Sequence, residues 1–208
     1  MRVTNIKSNL MNTILIILVG VALGIFSKLL DNMPLYDDAY WHRILEILDL
    51  GNVFSRLSIW VLLAVIISVN SKGPLRASVN VFGFFVGMLA GYYMITIYVS
   101  GFFPKSYMIA WGIITLFTPF LAYLIWYSKG SGLIAIPLSS IIIGFFITQA
   151  FSFGMYYIDL SYYDGVICLL LAILVLYKDN KQLVLSIIGA IIVAPFIKVI
   201  IPYIFGGL

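Results

Sequence analysis

Residues 77–98 read ASVNVFGFFVGMLAGYYMITIY, a run of 22 residues without a single charge. A helix of that length rises about 33 Å, enough to cross a hydrocarbon layer of roughly 30 Å, where only hydrogen bonds internal to the helix can satisfy the backbone. The run therefore predicts a membrane-spanning helix. Within it Gly83, Gly87 and Gly91 recur at every fourth residue, near one stripe of the helix. In lipid, such a stripe lets a second backbone approach closely.

Working outward, the same reading gives six more spans, at 11–30, 54–69, 107–127, 133–152, 162–177 and 183–204, the second and sixth of the seven being short. If the sixth were re-entrant, six spans would remain. Of the 208 residues, 63% are hydrophobic and only 10% charged, with a mean hydropathy of +1.12. Water-soluble chains carry about a quarter charged residues, so a soluble domain is excluded. The expectation is an all-α transmembrane bundle forming one domain over 1–208. The net charge of +4 comes from twelve basic residues scattered singly at the ends of apolar runs. That distribution fits membrane topology and not a nucleic-acid-binding face, and the lipid bilayer is the expected partner.

Lysine and arginine also set the orientation. Arg2, Lys7, Lys72, Arg76, Lys129, Lys178 and Lys181 fall on one side of the seven-span layout, which the positive-inside rule makes cytoplasmic. The N-terminus then lies inside and the C-terminus outside, with 11–30 as an uncleaved first span. The other side holds Lys28, Arg43, Arg56, Lys105 and Lys198 with seven of the eight acids. Tyrosines and tryptophans gather at span ends as interfacial belts, whereas Tyr92 and Tyr93 lie deeper, with packing as their plainest role and the lining of an interior cavity as the alternative.

Gly20 with Gly24, and Ser186 with Ala190 and Ala194, repeat the small-residue spacing in the first and last spans. Packing within the chain is the plain reading of all three ridges, and contact with another membrane protein or a second copy is the alternative. Pro119, Pro137, Pro195 and Pro202 interrupt spans four, five and seven and predict kinks.

Outside the spans, 38–49 places Trp41, Ile44, Leu45 and Leu48 at helical spacing against His42, Arg43, Glu46 and Asp49. This predicts a short amphipathic helix on the outer surface, or a lid over the bundle. Asp38, His42 and Glu46 share one of its faces. Three ligands on one exposed helix do not surround a metal, so no metal is expected and the set stands only as a candidate. His42 is the one histidine and Cys168 the one cysteine. No disulfide framework, two-histidine zinc motif or Ser-His pair can be built, and no cofactor or catalytic residue is indicated.

Charges at membrane depth are costly, so Lys28, Arg56 and Lys198 need an account. Snorkelling to the headgroups is one. The other is a polar cavity at the outer ends of the spans, in which Lys198 and Arg56 face Asp159, Asp164 or Asp31 beneath Trp41. Those six residues are the candidate binding set.

The stretches from Gly20 to Asp31, Ser58-Ile-Trp60, and Arg76 to Tyr93 resemble a family of small, uncharacterised bacterial membrane proteins. The resemblance covers the first half of the chain and implies a multi-span bundle in a bacterial cell membrane. In size and in its long first exterior segment the chain also resembles the substrate-binding membrane subunits of bacterial vitamin transporters, which have six spans. Three functions compete, in this order: a solute-binding or transport subunit, an accessory or sensory protein acting through helix contacts, and a membrane enzyme acting on lipid.

Overall fold

A computed structural model describes residues 6–32, 50–101, 103–154 and 156–205. The expected outer helix at 38–49, with Trp41, Asp38, His42 and Glu46, lies outside the described residues. Among those described, seven helices account for most of the chain: α1 (Ile6–Asp31), α2 (Leu57–Asn70), α3 (Pro74–Ser100), α4 (Lys105–Trp126), α5 (Ala135–Ala150), α6 (Tyr163–Leu176) and α7 (Asn180–Phe205). A single turn, Leu50–Val53, precedes α2, and a 3₁₀ turn, Tyr127–Lys129, follows α4.

Four of these helices, over Leu10–Asp31, Pro74–Val99, Lys105–Lys129 and Asn180–Ile200, are long and apolar enough to cross a membrane. The other three, α2, α5 and α6, have 14, 16 and 14 residues, or about 21 to 24 Å of rise. Their surroundings differ: α5 exposes Ile141 and α6 exposes Ile167, Leu170 and Leu174, whereas α2 is largely covered. Every residue of α2 from Leu57 to Val69 is buried or half-buried, so most of this helix is covered by protein, with Ile66 and Ile67 opening onto a cleft near its end. One core packs Leu62 and Val65 of α2 against Ile143 and Phe146 of α5 and Leu169 and Ala172 of α6. The other packs Trp60 against Val81, Phe84 and Met88 of α3 and Trp111 of α4. The long helices turn their remaining faces outward, as at Leu18, Phe117, Phe120 and Ile191.

Two helix pairs run parallel, each joined through small residues. Gly20 and Gly24 of α1 lie on the carbonyls of Phe84 and Met88 of α3, while Gly87 and Gly91 lie on the carbonyls of Ile17 and Val21. A Cβ at Gly87 would sit 2.5 Å from the Ile17 oxygen, so only glycine permits this approach. Gly83 instead faces the Ile17 side chain. On the other side of the molecule, Gly144 of α5 meets the Ala190 carbonyl of α7, and Gly189 lies beneath the Ser140 hydroxyl, with Ser186, Ala190 and Ala194 buried along the same helix. In α4, Pro119 removes the donor to the Thr115 carbonyl, and the Thr118 hydroxyl replaces it at 2.8 Å.

One element departs from the expected all-helical pattern. α5 ends at Ala150, two residues before the expected end of the span, and the chain forms a small antiparallel hairpin, β1 (Phe151–Phe153) with β2 (Ile158–Leu160), in the register Phe151↔Leu160 and Ser152↔Asp159. Phe151 had extended the apolar run and concealed this break. The hairpin closes with the Gly154 N–H donating to the Tyr157 carbonyl at 3.0 Å, and the Ser161 N–H returns to the α5 end at Ala150.

Candidate functional site

The end of the bundle that carries Asp31, Arg56, the hairpin and Lys198 gathers polar and aromatic side chains. Asp31 closes α1, and its carboxylate accepts the Tyr92 hydroxyl at 3.0 Å and the Ser55 hydroxyl at 3.4 Å. Ser55 belongs to the turn entering α2, which is pinned from below because the Trp60 indole N–H donates to the Phe54 carbonyl at 2.7 Å. Between α1, this turn, α3 and α4 a pocket opens to the surface, with about 340 Å³ of empty space including its mouth.

Aromatic side chains dominate its wall: Phe54, Trp60, Tyr92, Tyr93, Tyr107 and Trp111. Asp31 is the carboxylate among the lining residues. Tyr93 is only 6% exposed, yet its hydroxyl has no hydrogen-bond partner among the described residues. A buried hydroxyl left unmatched costs about 1 to 3 kcal/mol. The Lys28 ammonium stands 5.4 Å from the centre of the Tyr92 ring, a place where the ring face attracts positive charge.

A second feature lies between the two halves of the molecule. Arg56 stands at the N-cap of α2 and Asp164 in the first turn of α6, and their side chains form an ion pair, 17% and 14% exposed. The guanidinium also stacks 3.7 Å above the Tyr162 ring. A carboxylate suits a helix N-terminus and a cation does not, so Asp164 balances both the dipole of its own helix and the Arg56 charge. Its second oxygen is buried with no partner among the described residues.

The remaining candidates are dispersed. Lys198 is half-buried, and its ammonium donates to the Phe153 carbonyl and lies 4.3 Å from the Phe153 ring centre. Its partner is thus a hairpin backbone oxygen and not a carboxylate. Asp159 is exposed on β2 opposite Ser152. Of the six candidate residues, the structure joins Arg56 to Asp164, places Asp31 at the aromatic pocket and holds Lys198 against the hairpin. The pocket's walls were not in the sequence-derived set, although the depth of Tyr92 and Tyr93 within their run marked two of them. Among the described residues no group of three or more His, Cys, Asp or Glu side chains could hold a metal ion. Compared with family models, with curated proteins and with solved structures, the chain matches none.

Proposed function

We propose that the protein is a non-enzymatic membrane subunit that binds a small organic cation at its outer end, as the recognition step of uptake or export. The observation that carries this reading is the aromatic pocket with Asp31 among its lining residues. Aromatic faces attract positive charge, and a carboxylate gives an amine a charged acceptor. Asp31 keeps accepting capacity beyond the two hydroxyls it already holds. The accessory reading relied on the glycine stripe, and Gly20, Gly24, Gly87 and Gly91 are already occupied by contacts within the chain.

Trp60 and Trp111 line the pocket, so binding is readable in their emission. Benzylamine and tetraethylammonium, titrated into the full chain in lipid nanodiscs, are expected to change tryptophan fluorescence saturably, and Asp31→Asn is expected to weaken the response about tenfold, the effect of losing one charge-assisted contact of ~1.4 kcal/mol. Absence of a saturable change with either probe, or equal binding of neutral benzyl alcohol, would overturn the reading.

The same proposal has all seven helices crossing the bilayer of a bacterial cell, with α1 starting in the cytoplasm. In a Cys168→Ser background, single cysteines at Lys129 and Lys181 should be shielded from an impermeant maleimide in whole cells while one at Asp159 is labelled. Labelling at Lys129 reverses the orientation.

A further inference from the structure

The opposite end of the bundle has a cleft of its own, between α1 and α2 against the start of α3, with about 940 Å³ of empty space including its mouth. We propose that this cleft binds the phosphate of an anionic phospholipid, with the acyl chain rising along α1 and α2. The proposal does not depend on the aromatic pocket.

Three observations support it. The first is charge. Lys72 and Arg76 line the cleft, and no carboxylate is among its described lining residues. Beside them α3 begins at Pro74, with no described side chain capping it, and its first turn, Pro74-Leu-Arg-Ala77, carries no acid. The positive pole of a 27-residue helix thus adds to two cations.

The second is a prearranged set of neutral hydrogen-bonding groups. Asn80 is buried at 8% exposure; its carboxamide oxygen accepts the Thr13 hydroxyl at 2.7 Å and its NH₂ donates to the Ser71 hydroxyl at 3.1 Å. The Ser71 hydroxyl in turn donates to the Ile67 carbonyl at 2.7 Å. This network ties α1, the α2–α3 turn and α3 together at the floor of the cleft, so the cations stand on a fixed frame. Asn12 in the second turn of α1 and Asn70 at the end of α2 add amide groups.

The third observation separates a lipid from a soluble anion. One helical turn deeper than Asn12, α1 presents Leu15 and Ile16 to the cleft, and one turn deeper than Asn70, α2 presents Ile66 and Ile67. Basic groups at one end and aliphatic walls on the bilayer side match a phospholipid's own polarity. A basic pocket between helices at the positive side of a membrane protein is where anionic headgroups are held. Free phosphate shares the headgroup chemistry but gains nothing from the four aliphatic side chains.

The test uses the full chain in detergent, with melting temperature and native mass spectrometry as readouts. Dioleoylphosphatidylglycerol is expected to raise the melting temperature and remain bound in the gas phase, with dioleoylphosphatidylcholine retained roughly tenfold less, as two cations near an anionic group imply. Inorganic phosphate at the same concentration is expected to do neither. Lys72→Gln combined with Arg76→Gln should abolish the preference, and Lys72→Arg with Arg76→Lys should keep it. Equal stabilisation by phosphatidylcholine, or by inorganic phosphate alone, would overturn the proposal. Because the comparison of headgroups is made on the unaltered chain, a variant that fails to fold leaves the test intact.

Discussion

The two parallel helix pairs are both closed by small residues, yet they are closed differently. In α1 with α3 the contact is backbone on backbone at four glycines, Gly20, Gly24, Gly87 and Gly91, each against a carbonyl, with the Ile17 side chain filling the space over Gly83. In α5 with α7 a would-be Cβ at Gly144 stands 3.2 Å from the Ala190 oxygen, and the space over Gly189 is filled by the Ser140 hydroxyl, itself bonded to the Ile136 carbonyl at 2.8 Å. The first seam has no slack. In the second, a methyl group at Gly144 would require a shift of only a few tenths of an ångström. The comparison teaches that similar small-residue spacing can encode a rigid joint or a compliant one, depending on whether glycines occupy both helices at the same level.

The largest effect should follow from filling the rigid seam. Gly24→Leu would drive its first side-chain carbon onto the Met88 carbonyl, and the expected outcome is loss of monodisperse protein on size exclusion. Leu116→Phe, at a 71% exposed position on α4, should by contrast stay within about 0.5 kcal/mol of the parent. Equal behaviour of the two variants would break the distinction between seam and lipid face. An intermediate effect is expected where the two halves meet. Arg56→Gln strands the Asp164 carboxylate beside α2, and since both side chains keep some solvent access the loss should be about 2 kcal/mol, below the 3 to 5 of a fully buried pair. Adding Asp164→Asn should recover part of it, as a double-mutant cycle in thermal unfolding would measure. The smallest effect belongs to the compliant seam: Gly144→Ala should cost about 1 kcal/mol or less. A collapse as severe as that of Gly24→Leu would show that both seams are rigid.

Much of the helix layout was legible because lipid, as a solvent, punishes exposed backbone and charge, so the apolar runs marked the helices to within a few residues at most ends. Spacing also revealed which face of α3 carries Gly83, Gly87 and Gly91. It could not reveal the opposing helix, since a stripe specifies a face and not its neighbour. The pairing of Arg56 with Asp164 spans 108 positions, and several carboxylates were equal candidates until α2 and α6 were seen to begin side by side. The lodging of Lys198 was hidden for a local reason: Phe151-Ser-Phe153 continues an apolar helix as readily as it forms a strand, and the hairpin supplies the carbonyl. The aromatic pocket was the hardest to foresee. Its walls are tyrosine and tryptophan, the residues that also mark membrane interfaces, and only three-dimensional convergence separates a belt from a binding wall.

Parallel neighbours carry a consequence for the order of synthesis. Two helices that point the same way cannot be joined by a tight turn, so the chain must cross back through α2 before α3 can lie on α1. The ridge at Gly20 and Gly24 therefore leaves the ribosome long before Gly87 and Gly91 exist to cover it. During that interval α1 has no backbone partner, and α2, which ends up packed against α3, α4, α5 and α6, has none of those neighbours. The nascent first half must then be held near the insertion machinery, or shielded by it, until residue 91 has been added, and a ribosome stalled before that point should leave α1 and α2 exchanging freely with lipid.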